Sequence, residues 1–224
     1  MNTSHSKDVW LKYAPYLMFD LHEPFYPEAV GVSILEMPAV SPSFRRSFPG
    51  SESQVKQVIE YAIWWDYEIG HLYEMEHVWV YVGNDGQVVD CEASFHGRVL
   101  KGLLKDRSNL IEDTHVRLYS QPGKHAFSPI PTLFELLPNL YQAAGSQAGI
   151  DGLLVTDLFC EYFSTNDEID AKVREYLQTF AFVPTMEFTE YKFTGELMMP
   201  WNDLFHMVPR RIENQVRELG LQLP

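Results

Sequence analysis

Two apolar runs, His77-Val78-Trp79-Val80-Tyr81-Val82 and Gln87-Val88-Val89, flank Gly83-Asn84-Asp85-Gly86, and this arrangement constrains the chain more than any other stretch. Asn, Asp and Gly accept the positive φ of a tight reversal, so the segment predicts a β-hairpin. Just upstream, Ala62-Ile63-Trp64-Trp65 closes a run over residues 54–66 whose length and aromatic content suit a strand, with a helix over 52–60 as the alternative. Further strands are expected over 15–19, 30–37, 98–104 and 115–120. Residues 1–14 are polar, and 38–49, with three prolines, reads as a surface loop or edge strand. Several short strands at close spacing favour an antiparallel sandwich over a parallel βαβ sheet.

Beyond residue 130 the pattern changes. Thr132 with Glu135, and Thr165 with Glu168, have capping-box spacing, and Ile169, Val173, Tyr176, Leu177 and Phe180 recur at helical intervals. Trp201, Leu204, Val208, Ile212, Val216 and Leu219 do likewise and stop at Gly220. Pro138 and Pro209 are expected to break or kink their helices, and 153–155 and 188–193 read as late strands. The expected class is α+β: an antiparallel β-sandwich core decorated by helices, mainly in the C-terminal third. It forms a single domain over residues 1–224, with the sandwich over about 13–128 and the additions over about 129–224.

Charge narrows the function classes. Against 31 Asp and Glu stand 17 Lys and Arg, a net charge of -14, which disfavours nucleic acid and anionic membrane surfaces as partners. Two cysteines, Cys91 and Cys160, are too few for a disulfide scaffold and suit a reducing compartment. No run approaches the roughly 18 apolar residues of a spanning helix, and Met1–Lys7 lacks an apolar signal core. The expectation is a cytoplasmic chain with no integral membrane segment and a small-molecule substrate.

The chemistry concentrates between Tyr61 and Gly97. If residues 74–82 are extended, Glu74 and Glu76 share one face with Val78 and Val80, while Met75, His77, Trp79 and Tyr81 share the other. Two carboxylates on one face repel unless a cation sits between them or one stays protonated. His71 lies just upstream and Asp66 ends the preceding strand, so Asp66, His71, Glu74 and Glu76 form a candidate metal set. Its oxygen-rich, thiolate-free character favours Mg²⁺, Mn²⁺ or Ca²⁺ over Zn²⁺ or Fe²⁺. The alternative is a solvated strand face. His96 in Ser94-Phe95-His96-Gly97 and His125 in Gly123-Lys124-His125 are glycine-flanked candidates for general acid or base. His77, on the opposite face, is a candidate supporting histidine, and Trp64 and Tyr73 are candidate aromatic walls. His22 and Glu23, before Pro24, sit in a loop able to fold over the same end.

This stretch resembles the metal-binding block of the necrosis- and ethylene-inducing protein family. That family carries a Tyr-Ala-Trp strand ending in Asp, then Gly-His-Arg-His-Asp-Trp-Glu-His, and later a Ser-x-His-Gly turn. Here the similar residues are Tyr61-Ala62-Ile63-Trp64-Trp65-Asp66, Gly70-His71-Leu72-Tyr73-Glu74-Met75-Glu76-His77 and Ser94-Phe95-His96-Gly97. Leu72, Tyr73 and Met75 replace the family's Arg, second His and Trp, and the spacer from Asp66 to His71 is shorter. Leu21-His22-Glu23-Pro24 and Gly123-Lys124-His125-Ala126-Phe127 are similar to segments of the vacuolar-protein-sorting-type branch, which makes that branch the nearer relative. The resemblance implies one divalent cation on Asp66, His71, Glu74 and Glu76 at one end of a sandwich. Two expectations follow. One is a metal-dependent hydrolase of a small apolar or ester-type substrate, with a metal-activated water and His96 or His125 as acid or base. The other is a non-catalytic, cation-dependent protein that binds lipid or sugar head groups, as the toxins do.

Overall fold

The computed structural model describes residues 3–50 and 54–224. Helix α1 (Thr3–Tyr13) opens the chain and leads to strands β1 (Tyr16–Asp20) and β2 (Ala29–Glu36). Polar on average, α1 is held by two anchors: the Tyr61 hydroxyl donates to the Trp10 carbonyl at 2.7 Å and the Tyr13 hydroxyl to the Gly86 carbonyl at 2.9 Å. Strands β3 (Ala39–Val40) and β4 (Ser47–Phe48) pair only with each other, so the proline-rich stretch is a separate small hairpin.

Strands β5 (Val55–Tyr67) and β6 (His71–Gly83) form the spine, paired antiparallel from Gln57 opposite Val82 to Tyr67 opposite Leu72. Of the alternative helix over 52–60, residues 52 and 53 lie outside the described residues, Gln54 is in a turn and 55–60 belong to β5. The expected hairpin follows: β6 pairs antiparallel with β7 (Val88–Phe95) across a turn that places Gly86 at φ +80°. Strand β8 (Arg98–Lys101) pairs with β7 after a second reversal at His96 and Gly97, both at positive φ.

The remaining elements are β9 (Leu110–Ile111), β10 (His115–Ser120), β11 (Phe127–Ser128), α2 (Thr132–Glu135) and α3 (Leu140–Ala144). They are followed by β12 (Gly152–Leu153), α4 (Asp167–Gln178), β13 (Phe188–Tyr191), β14 (Met198–Pro200) and α5 (Trp201–Glu218). One sheet runs β14-β2-β5-β6-β7-β8 with β12 beside β6, and the other runs β11-β10-β1-β13 with β9 beside β10. The fold is thus α+β, with an antiparallel meander at its centre and most of its helices C-terminal. Three parallel pairings, β1 with β10, β12 with β6 and β14 with β2, join segments far apart in sequence, where a crossover has chain to spare.

Strand alternation sorts the core. Val78 and Val80 face the main apolar cluster, which draws Phe19, Trp65, Leu118, Val173 and Ile212 from both sheets and two helices. Trp79 and Tyr81 point the other way, into a smaller cluster with Phe48 and Val58 under the β3–β4 hairpin. In α4 the cap is Asn166, whose side chain accepts from the Ile169 N–H at 2.9 Å; the Thr165 hydroxyl turns instead to Asp170 at 2.7 Å. Helix α5 continues through Pro209. Burial of Leu204, Val208, Ile212 and Val216 along one stripe, roughly 1.5–3 kcal/mol each, outweighs the roughly 3 kcal/mol that an interior proline costs. Among the described residues no helix is long and apolar enough to cross a membrane.

Candidate functional site

The three-residue turn between β5 and β6, Glu68-Ile69-Gly70, fixes one end of the site. Glu68 is fully buried, and one of its oxygens accepts the N–H groups of Gly70 at 2.6 Å and His71 at 3.0 Å. Its other oxygen binds the Lys124 ammonium at 2.7 Å, delivered by the tight Gln121–His125 loop. Burial alone would push the Glu68 carboxyl up, but the neighbouring His71 and Lys124 hold it below the usual carboxylate range. The same pair keeps Lys124 above its ordinary value despite its burial.

His71, the first residue of β6, donates through Nδ1 to the Tyr73 carbonyl at 2.7 Å. Its Nε2 therefore faces the carboxylates, 3.5 Å from Glu68 and 3.6 Å from Glu74. Tyr73 sits at φ +56°, with its ring stacked on Trp64 at 4.9 Å and 10°. Glu74 is half-buried, and one of its oxygens takes the Met75 N–H at 2.7 Å. Glu76 is buried; its carboxyl accepts from the Ser94 hydroxyl and, at 3.4 Å, from the His96 N–H. Burial first, and then the nearby Glu74 charge, push its carboxyl up to about 8.

These side chains open onto a cavity of about 500 Å³ whose walls include Phe44, Met75, Leu154, Thr156 and Leu158. His96 stands at its rim, with Nε2 donating to the buried Gln121 amide oxygen at 2.8 Å, which leaves Nδ1 as the ring's acceptor. At the mouth Arg45 and Asp157 form an exposed ion pair. His77 also lines the cavity; it stacks on Trp79 at 5.4 Å and contacts the Ser43 hydroxyl through Nε2 at 3.0 Å. Burial, with Arg46 as a lesser cause, drives its imidazole down to about 3, so it is neutral at physiological pH.

Several expected site residues lie elsewhere. Asp66 is bound by Arg211 through two 2.8 Å contacts and by the Trp64 indole N–H at 2.7 Å, so it belongs to the sheet–helix junction. Glu68, two residues on, occupies the place beside His71 that Asp66 was expected to take. His125 is fully buried, stacked on Trp65 at 4.5 Å, with Nε2 3.2 Å from Glu23. The other Glu23 oxygen accepts the Gly123 N–H at 2.7 Å, so Glu23 and His125 lock two loops together behind the site. His22 is exposed and meets the Val183 carbonyl at 3.1 Å. Trp64 is core and reaches the site only through Tyr73.

Of the expected donor set, Asp66 is turned away to Arg211, while His71, Glu74 and Glu76 remain at the cavity. Asp66 and Glu68 are committed to Arg211 and Lys124, and Lys124 already supplies local positive charge. Among the described residues no group of three or more His, Cys, Asp or Glu side chains is placed to hold a metal ion. Sequence reasoning missed Glu68, Lys124, Gln121 and Ser94. The signal for Glu68 was its place two residues before Gly70, where a carboxylate caps the free N–H groups of a turn. No protein-family model, curated protein or solved structure matches this chain.

Proposed function

We propose that this chain is a hydrolase of small molecules, working by proton transfer in the cavity with Glu76 and His96 as its acid and base. The observation that carries the reading is the placement of a buried carboxyl and an oriented imidazole at the wall of one open cavity. Glu76, pushed up to about 8, keeps its proton at pH 7 and serves as the acid. The His96 Nδ1 accepts a proton from water as that water attacks a carbonyl, and Glu76 returns one to the leaving group. Gln121 and Ser94 are positioning residues, the first for the ring and the second for the carboxyl.

The test is hydrolysis of a chromogenic ester of a small acid by the wild type, Glu76→Gln and His96→Asn. Each substitution is expected to lower kcat about 100-fold, the ordinary yield of one general acid or base. Equal rates in all three would overturn the reading. One observation favours a metal-assisted version: His71 Nε2 and Glu74 keep lone pairs 3.6 Å apart. Two protein donors and several waters suffice for Mg²⁺ or Mn²⁺ brought in with a substrate oxygen. Loss of activity in a chelator, with recovery on adding either ion, would select that version. The head-group-binding reading drawn from the toxin resemblance predicts leakage from sphingolipid vesicles and no turnover.

A further inference from the structure

The cavity is lopsided in charge. Glu74 is the carboxylate that charges it, since the neighbouring Glu76 holds its proton, and Arg45, the one Lys or Arg among its described lining residues, is already paired with Asp157 at the mouth. Lys124 is spent on Glu68 at 2.7 Å, with Asp151 at 3.9 Å. Glu74 therefore has no ammonium or guanidinium partner within ion-pair distance among the described residues, and its free oxygen meets only His71 Nε2 at 3.6 Å. That distance is too long for a hydrogen bond. His71 is 6% exposed, lines the same cavity, and its Nε2 makes no closer polar contact than the 3.5 Å to Glu68. Around Glu74 the lining mixes apolar Phe44, Met75, Leu154 and Leu158 with polar Ser43 and Thr156.

From this we infer that the ligand of the cavity is an organic cation, a primary ammonium or guanidinium head on a short apolar body. The head is seated against Glu74 and the body against Phe44, Met75 and Leu158. The inference rests on reading the cavity as a substrate site, and it names the substrate class. An ammonium suits the geometry better than a bare metal ion. A metal needs several donors converging at roughly 2.0–2.6 Å. An ammonium needs only separate acceptors at ordinary hydrogen-bond distance in three directions, and it gains from an aromatic face such as that of Phe44. A volume of about 500 Å³ is of the size that takes a small molecule. An anionic ligand would meet the Glu74 carboxylate with no free cation beside it.

The test is calorimetric titration of the intact chain with benzylammonium, benzyl alcohol, benzoate and, separately, Mn²⁺. Benzylammonium is expected to bind about tenfold tighter than benzyl alcohol, the yield of one charge-assisted contact, with benzoate not binding. Glu74→Gln should erase that preference. Asp157→Asn, on the exposed mouth, cannot disturb the core and frees Arg45; it should weaken benzylammonium several-fold. Benzoate or benzyl alcohol binding as tightly as benzylammonium, or unchanged affinity in both variants, would overturn the inference. So would Mn²⁺ binding that benzylammonium does not displace. If the amine fails to bind while ester hydrolysis still depends on Glu76 and His96, the inference falls and the hydrolase reading stands. Amine binding without turnover reverses that outcome.

Discussion

Asp66 and Arg211 meet through two 2.8 Å contacts, tying the end of β5 to the middle of α5 across 145 residues of chain. The Gln215 amide adds a bond to the Asp66 carbonyl at 2.5 Å, so the junction is a bidentate pair with backbone support. Both partners are largely shielded, with about a quarter of each side chain exposed. Arg211→Ala is expected to cost roughly 2–3 kcal/mol, more than a surface pair and less than a fully buried one. Urea denaturation measures it. On the proposed function, ester hydrolysis per folded molecule should be unchanged, because Asp66 does not line the cavity.

Lys124 and Glu68 form the more deeply buried pair. Lys124→Met leaves a charge stranded at Glu68 and is expected to destabilise by about 3–5 kcal/mol. Adding Glu68→Gln should recover a large part of that loss, since the double variant buries no charge. A double-mutant cycle by denaturant unfolding reads the coupling; additive losses would show the pair to be energetically idle.

Glu76 gives stability a pH dependence of unusual sign for a carboxyl. Its pKa is raised in the folded chain to about 8, so between about 4.5 and 8 the native state holds a proton that the unfolded state has released. Stability from this group is therefore full below about 4.5 and is lost as pH rises through 8. The slope approaches about 1.4 kcal/mol per pH unit within that window. Thermal unfolding of wild type and Glu76→Gln from pH 5 to 9 checks this: the variant should show the flatter profile.

Gly31 lies where β2 passes beneath α5. A Cβ there would stand 2.9 Å from the Trp201 ring, 3.0 Å from Leu204 and 3.2 Å from the Trp201 Cα. The last of these is backbone and cannot swing aside, so Gly31→Ala should cost about 1–3 kcal/mol through a displaced helix. A shift in the denaturation midpoint measures it.

Much of the fold was legible because period-two and period-3.6 patterns survive in the residues that bury. The β6–β7 reversal, the strand through Trp64 and Trp65, and the α4 stripe of Ile169, Val173 and Leu177 all follow from spacing alone. Helix α1 was not legible, since Trp10 and Tyr13 act through partners far along the chain. The site was half legible. Alternation places Glu74 and Glu76 together on β6, whereas His71 has the opposite parity and was expected beside them from its nearness alone. Whether Asp66 or Glu68 joins them depends on Arg211 and Lys124, and no local pattern encodes partners that distant. His125 illustrates the same limit: glycine flanking permits a turn, and the Trp65 ring and Glu23 decide where the imidazole goes.

The Glu68-Ile69-Gly70 turn is stitched to two remote segments through its main chain. Ile69 N–H binds the Gly123 carbonyl, while the Gly149 and Asp151 N–H groups bind the Ile69 and Gly70 carbonyls. A ribosome that has released only the first hundred or so residues has made the β6–β7 hairpin but not its footing. The cavity, whose lining includes Leu154 and Leu158, is thus complete only late in synthesis, and a fragment ending before Asp151 should lack it even where its strands are paired.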